Sequence, residues 1–157
     1  MRKRMISSKQ GQPPLLDRGS LHLEDIAVIE LTSEDAAHPI EGALLPGAAS
    51  GWRAEQPGEQ TIRLIFDQPQ RLKGIWLHFE ESEIARTQEF VLRWSSDSGG
   101  SLQEIVRQQW NFSPPATTVE IEDYHVELSG VTVLELNIIP DKSGGQARAS
   151  LRQMALA

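Results

Sequence analysis

The chain has 157 residues, of which 39% are hydrophobic and 24% are charged, and its formal net charge is −7. These values are typical of one soluble globular domain with a sizeable core. Nucleic-acid binding depends on a basic surface, so the acidic balance argues against nucleic acids and anionic membranes as partners. The chain contains no cysteine, which excludes disulfides, thiolate metal sites and a cysteine nucleophile.

Residues 1–20 are polar and contain prolines, and we interpret them as a flexible lead-in to a single domain over residues 21–157. The basic start Arg2-Lys3-Arg4 is not followed by the apolar segment of a signal peptide. No apolar run is long enough to span a bilayer. On this basis we expect a cytoplasmic protein.

The first predicted strand covers Leu21 to Leu31. The sequence Thr32-Ser33-Glu34-Asp35 resembles a helix cap and predicts a single helical turn that His38-Pro39 ends. A long loop follows over residues 45–57, which contain several glycines and prolines.

Alternation predicts the next strand over Gln60 to Phe66, and residues 67–70 form a predicted turn. Leu72 to Phe79 is apolar at both odd and even positions, which is typical of a central strand covered on both faces. Glu80 to Gln88 is a charged loop, and the next strand is predicted over Glu89 to Ser95.

The glycine-rich segment Asp97 to Ser101 predicts a hairpin loop that leads into a strand over Leu102 to Phe112. Val119 and Ile121 begin a further strand, and a bulge near Asp123 would shift the alternation by one residue. A tight connection at Ser129-Gly130 then separates this strand from the last two predicted strands, Val131 to Ile139 and Ala147 to Leu156. About eight strands separated by turns predict an all-β sandwich or barrel.

The order of these segments resembles the galactose-binding-domain-like superfamily, which includes discoidin and coagulation-factor C domains. The segments that carry the resemblance are His38 to Gly42, Ser50 to Arg53, Thr61 to Asp67, Leu72 to Leu77, Ser95 to Ile105 and Ala149 to Leu156. The resemblance implies a jelly-roll β-sandwich of about eight antiparallel strands.

Many members of that superfamily hold a structural calcium ion with an aspartate in the early turn, backbone carbonyls and a late acidic residue. The matching positions here are Glu41 and Gln153. Calcium prefers several oxygen ligands that include carboxylates, so we expect neither calcium nor any other cofactor.

No arrangement of residues predicts catalysis. His22, His38, His78 and His125 do not have metal-ligand spacing, and no nucleophile motif is present. The acidic run Glu80, Glu81 and Glu83 fits a solvated loop better than a pair of glycosidase carboxylates. We therefore predict that the protein is not an enzyme.

The tryptophans divide into two groups. Trp76 and Trp94 lie among apolar residues on strands and are predicted to belong to the core. Trp52, in a loop, and Trp110, near a strand end, fit either the core or a ligand platform.

In the superfamily, loops that meet at one end of the sandwich bind ligands. The corresponding segments here are residues 47–56, 80–88 and 97–101. The resemblance implies a ligand site at this end, for which the candidate residues are Trp52, Arg53, Glu55, Glu81, Arg86, Asp97 and Trp110. The competing interpretation is an internal salt bridge between Arg53 and Glu81.

The sequence thus favours a non-catalytic binding module, with carbohydrate as the ligand class that the resemblance suggests most. The alternative is an intracellular protein-interaction domain or assembly subunit on the same fold. The oligomeric state is not indicated by any feature of the sequence.

Overall fold

The computed structural model describes residues 21–48 and 50–157, so the predicted lead-in over residues 1–20 lies outside the described residues. The elements, in chain order, are α1 (Leu23–Ile26), β1 (Ala27–Leu31), α2 (Glu41–Leu44), β2 (Trp52–Arg53), β3 (Gln60–Glu80), β4 (Arg86–Ser95), β5 (Gln103–Phe112), β6 (Val119–Ile139), β7 (Ser150–Leu151) and β8 (Gln153–Leu156). All pairings between these strands are antiparallel. Across this part of the chain, no helix is long and apolar enough to cross a membrane.

The two longest strands, β3 and β6, form the centre of the fold. They pair with each other along their whole lengths, from Gln60 opposite Ile138 to Glu80 opposite Val119. The first half of β3 also pairs with β1, and its second half pairs with β8. The second half of β6 pairs with β4, which in turn pairs with β5.

The register of β3 against β6 shifts three times between Ile65 and Gly74. Such irregularities bend a strand and increase its twist. The layer that contains the second half of β3, the first half of β6 and β8 therefore folds over the layer that contains the first half of β3, the second half of β6, β1, β4 and β5. Ring contacts across the two layers show this. The ring of Phe90 on β4 lies 5.2 Å from that of Phe79 on β3 and 6.5 Å from that of Tyr124 on β6. The result is a two-layered β-sandwich.

One hydrophobic core fills the space between the layers. The alternation in β3 directs Ile62, Leu64 and Phe66 into it from one half of the strand. In the other half, Ile75, Leu77 and Phe79 are completely buried. Burial of apolar side chains of this size contributes about 1.5–3 kcal/mol each, which makes this core the main source of stability.

A short ribbon of β2 and β7 closes one end of the sandwich. Trp52 lies opposite Leu151 and Arg53 lies opposite Ser150. Trp52 and Leu151 are buried against the core, whereas Arg53 is exposed. The ribbon therefore presents one apolar face inward and one polar face outward.

Two predicted breaks are absent. The turn predicted at residues 67–70 and the connection predicted at residues 129–130 lie inside β3 and β6, because bulges accommodate their turn residues within continuous strands. The predicted bulge near Asp123 is also wrong, since Asp123 pairs with Trp76 in unbroken register. Exposed and buried residues therefore alternate without a shift from the start of β6. Val119 faces solvent and Glu120 is buried.

The first segment also differs from its prediction. Residues 23–26 are helical, and the strand begins only at Ala27. No helical turn forms at residues 32–35, because Asp35 and His38 form a β-bridge and the carboxylate of Glu34 accepts a hydrogen bond from the Ile40 N–H at 2.9 Å. Because of these contacts, the first helix after β1 is α2, which begins only at Glu41.

Trp94 packs against the core as predicted, but Trp76 does not. Trp76 points to the outer face of β3, opposite in direction to its buried neighbours Ile75 and Leu77. There it meets the ring of His78 edge-on at 5.7 Å. The second half of β3 is a central strand, but only one of its faces is fully covered.

Candidate functional site

An open cleft of about 330 Å³ lies at the end of the sandwich that the β2–β7 ribbon closes. One wall is the outer face of that ribbon, with residues 50–53 and 148–152. The opposite wall is the loop after β3, residues 80–83, together with the start of β6. His38 also contributes to the lining.

Alternation along residues 147–152 explains the ribbon wall. Ala147, Ala149 and Leu151 are buried. Arg148 and Ser150, at the positions between them, therefore point outward, and both line the cleft with Arg152. Strand pairing places the exposed Arg53 directly across from Ser150.

Trp52 supports this wall from behind. Its side chain is only 1% exposed, and its Nε1–H donates a hydrogen bond to the backbone oxygen of Ser33 at 3.1 Å. A ring buried in this way offers no free face for a sugar to stack on. Trp52 fixes the position of the ribbon rather than providing an aromatic platform.

Glycines allow the chain to approach closely at the base of the ribbon. Gly51 has a φ of +71° and donates its N–H to the oxygen of Gly42 at 3.0 Å. A Cβ atom on Gly42 would lie 2.6 Å from the oxygen of Gly51 and would clash with Ser50 Oγ. Only glycine fits at position 42 without displacing the cleft wall.

The acidic loop is held by a buried ion pair. Arg86 donates from Nε to Glu81 Oε1 at 2.7 Å, and its side chain is completely buried. Glu81 Oε2 accepts hydrogen bonds from the N–H groups of Glu83 and Ile84. Burial of Glu81 by itself raises the pKa of this carboxyl, but the hydrogen bonds from Arg86 and Glu83 outweigh it, so the pKa is lowered.

Arg86 has further contacts behind the cleft. Its Nη1 donates to the oxygen of Pro140 at 2.9 Å and to Gln88 Oε1 at 3.1 Å. Its guanidinium carbon also lies 4.7 Å from the centre of the Phe112 ring. Arg86 therefore anchors the loop from inside the sandwich and is not part of the lining.

The charges on the two walls are unequally paired. Arg152 lies 3.6 Å from a carboxylate oxygen of Glu80. Arg53 and Arg148 form no ion pair and no side-chain hydrogen bond within residues 21–48 and 50–157. The salt bridge that competed with a ligand role for Arg53 does not form, because Glu81 is paired with Arg86 instead.

The predicted site residues are only partly brought together. Trp52, Arg53 and Glu81 line the cleft. Glu55 is exposed beyond the ribbon, where its N–H donates to Ser33 Oγ at 3.0 Å. Arg86 lies behind the lining. A binding role for Arg53, Glu55 and Glu81 remains a prediction, whereas Trp52 and Arg86 are buried and act as supports.

Asp97 does not join them. Strand β4 starts beside the cleft at Arg86 and ends at Ser95, and ten extended residues span roughly 30 Å. Asp97 therefore lies in the hairpin at the other end of the sandwich. Only two of the three loops expected to meet do so. Hydrogen bonds from Ser95 Oγ and the Ser101 N–H lower the pKa of Asp97, and they show a turn-stabilising role.

Trp110 is half-buried and points between the layers, opposite Gln88 on β4. Its Nε1 is buried without a hydrogen-bond partner in the described part of the chain. The same region contains Glu120, which is 0% exposed and accepts a hydrogen bond from Gln88 Nε2 at 3.1 Å. Sequence reasoning missed this internal polar group because it placed a register shift near Asp123.

Sequence reasoning also missed Arg148, Ser150 and Arg152. Their signal was present in the sequence, because small or apolar residues alternate with these three over residues 147–152. Alternation shows that they share one face. It does not show that Arg53 lies across from them, since that depends on strand pairing.

The residues around the early turn do not fit calcium. Glu41 is exposed at the start of α2, and Gln153 supplies a neutral amide. The carboxylate of Glu34 nearby is already used by the Ile40 N–H. One free carboxylate and one amide fall short of the oxygen-rich donor set that calcium prefers.

No family model matches the chain, and no curated protein sequence matches it either. Several solved structures, however, are similar to the chain. The CBM32 module of AlyQ, in complex with 4,5-unsaturated mannuronic acid, is 18% identical with a TM-score of 0.61 and covers 85% of this chain and 95% of its own. The family 32 module of NanJ from C. perfringens, in complex with galactose, is 12% identical with a TM-score of 0.60 and covers 87% and 96%.

A third structure is module CBM32-3 from a family 31 glycoside hydrolase of Clostridium perfringens. It is 14% identical with a TM-score of 0.64, and the alignment covers 92% of this chain and 98% of the module. The protein has the fold of these modules. The antiparallel β-sandwich fold predicted from the sequence is therefore confirmed.

Proposed function

We propose that the protein is a non-catalytic carbohydrate-binding module and that its ligand occupies the cleft beside the β2–β7 ribbon. The observation that carries this proposal is the combination of a CBM32-type fold with an open polar cleft at one end of the sandwich. The volume of about 330 Å³ falls within the usual range of ligand sites.

The chemistry of the lining suits a sugar. Hydroxyl groups need donors and acceptors at fixed positions, and the cleft offers the Ser150 and Ser82 hydroxyls together with several guanidinium groups. The ribbon wall is rigid, since Trp52 and Leu151 anchor it in the core. A preorganised polar wall reduces the entropy that is lost on binding.

Two of the three glutamates that line the cleft, Glu80 and Glu81, do not suit catalysis. A glycosidase needs one carboxylic acid with a raised pKa beside a second carboxylate. The pKa of Glu81 is lowered, and Glu80 is paired with Arg152. Neither residue has the environment of a general acid, which supports a binding role.

The alternative function is protein interaction, and one observation favours it. Val119 and Ile121 are 40% and 53% exposed on the outer face of β6. This half of β6 pairs only with β3 among the strands in residues 21–48 and 50–157, so its other edge is free. Exposed apolar side chains beside a free strand edge can support contact with another protein.

The test is calorimetric titration of the protein with a panel of neutral and acidic oligosaccharides, followed by titration of a blocked variant. In Ser150→Trp a large ring would fill the cleft, whereas Ser129→Trp places the same ring on an exposed part of β6 far from it. We expect saccharide binding that Ser150→Trp abolishes and Ser129→Trp keeps. No binding to any saccharide, or equal binding by both folded variants, would reject the proposal.

A further inference from the structure

The three arginines of the cleft share one face of the ribbon. Arg53 lies opposite Ser150, and Arg148 and Arg152 are the residues two positions on either side of Ser150. Diagonal neighbours of this kind in an antiparallel pair are about 7–8 Å apart. Their guanidinium groups can therefore reach one ligand above the Ser150 hydroxyl.

Arg53 and Arg148 differ from the other arginines that the structure describes. All the others form ion pairs with carboxylates, namely Arg63, Arg71, Arg86, Arg93, Arg107 and Arg152. The two arginines without such a partner are both in the lining of the cleft and are close together. The protein has more acidic than basic residues, with a net charge of −7. A shortage of carboxylates therefore does not explain why these two arginines have no ion-pair partner.

Two acidic residues beside the cleft, Glu81 and Asp35, already have other partners. Arg86 and two backbone N–H groups occupy the carboxylate of Glu81. Asp35 accepts a hydrogen bond from the Ala37 N–H and lies 3.3 Å from the ring of His38. The hydrogen bond from Ala37 lowers the pKa of Asp35 most, and the charge of Arg148 helps to lower it, but the side chains of Asp35 and Arg148 do not form an ion pair. Arg53 and Arg148 are cations on one wall of the cleft and repel each other, and an anion bound between them relieves that repulsion.

The lining also limits how a neutral sugar can bind. Its one tryptophan, Trp52, is buried, so the cleft has no exposed indole on which a neutral ring could stack. A guanidinium group, in contrast, matches a planar carboxylate with two parallel hydrogen bonds. An ionic contact with a ligand carboxylate can thus supply the affinity that sites with an exposed aromatic ring obtain from stacking.

We propose that the cleft binds a uronic-acid saccharide, with the sugar carboxylate held by Arg53 and Arg148 and a ring hydroxyl held by Ser150. The proposal rests on the proposed function and specifies the ligand class of that same site. Because both arginines are exposed, the ionic contact is screened by salt, and affinity falls as ionic strength rises.

The test uses oligosaccharides of galacturonic and of mannuronic acid, and the methyl esters of the same oligosaccharides as neutral controls. Binding is measured by calorimetry for the wild-type chain and for Arg53→Ala, Arg148→Ala and Arg71→Ala. Arg71 is an exposed arginine in the bulged region of β3, outside the cleft, and serves as the matched control. Thermal melting checks that each variant is folded.

We expect at least one acid form to bind and its ester to bind at least about ten-fold more weakly. Each cleft variant should lose about ten-fold or more in affinity, whereas Arg71→Ala should match the wild type. Equal or tighter binding of the neutral esters would overturn the uronate assignment and leave a carbohydrate-binding module standing. Binding of no saccharide at all would overturn both proposals.

Discussion

Arg86 and Glu81 form an ion pair of 2.7 Å that joins the interior of the sandwich to the wall of the cleft. The Arg86 side chain is completely buried and that of Glu81 is 16% exposed. Removing one partner from a buried pair leaves an uncompensated charge, which costs far more than losing a surface pair. This pair therefore fixes the loop that faces the β2–β7 ribbon.

The first prediction concerns this pair. Arg86→Met should lower the free energy of unfolding by about 3 kcal/mol, because Glu81 loses its counterion and the oxygen of Pro140 loses its donor. Urea unfolding measures the change. The control is Arg71→Met, which breaks an exposed pair with Glu127 and should cost less than about 1 kcal/mol.

The double variant Arg86→Met/Glu81→Gln should recover part of the loss, since it removes both charges. A cost for Arg86→Met no larger than that of the Arg71→Met control would contradict the anchoring role of Arg86.

The second prediction concerns pH and Glu120. This carboxyl faces Phe79, Gln88 and Tyr124 inside the sandwich, with Arg86 and Glu122 nearby. Burial, followed by the neighbouring Glu122, raises the pKa of Glu120 from 4.5 to about 9. The folded state therefore holds this proton more tightly than the unfolded chain does.

The sign of the effect follows from this difference. The stabilisation is fully present below pH 4.5 and is lost as the pH rises towards about 9, the folded-state pKa. Glu120→Gln keeps an acceptor for Gln88 and removes the titration. We expect the variant to be more stable than the wild type at pH 7, by at most about 3 kcal/mol, and less dependent on pH.

Urea unfolding at several values between pH 5 and pH 9 measures this difference. The control is Glu127→Gln, an exposed residue of the same strand, which should leave the pH dependence of the wild type in place. Parallel stability curves for wild type and Glu120→Gln would show that Glu120 does not titrate as described.

The third prediction concerns the base of the ribbon. Gly42→Ala places a methyl group 2.6 Å from the Gly51 oxygen, so the backbone has to move. We expect a loss of about 2 kcal/mol in unfolding free energy and weaker saccharide binding, since Gly51 leads directly into β2.

The matched control for this change is Gly100→Ala. The nearest atom to its new methyl group is a flexible side-chain oxygen of Asp97 at 3.3 Å, and Gly100 lies in the hairpin at the other end. Unfolding curves that coincide for the two variants would rule out a special role for the close approach at Gly42.

The fourth prediction concerns calcium. The donor set around Glu41 and Gln153 is poor, so thermal melting in millimolar calcium and in chelator should give the same midpoint. A ligand at one hundred times its Kd stabilises a protein by about 2.7 kcal/mol, which a melt resolves easily. A higher midpoint in calcium would disprove this expectation.

Much of the fold could be predicted from the sequence because alternation is a local property. The parity of Ile62, Leu64 and Phe66 identifies the buried face of β3 correctly. The errors arose where bulges replaced turns. Residues 67–70 and 129–130 have turn chemistry, but long-range pairing of β3 with β6 keeps them inside strands.

The sequence by itself determined the all-β class, the inward faces of most strands and the two loops beside the cleft that the resemblance indicated. Tertiary structure decided the rest. Arg53 and Arg148 are far apart in the chain, and only the pairing of β2 with β7 brings them onto one face. Whether a charge is free or paired depends on contacts between distant segments. The sequence therefore identifies Glu81 as a loop carboxylate, but it does not show that Arg86 is its ion-pair partner.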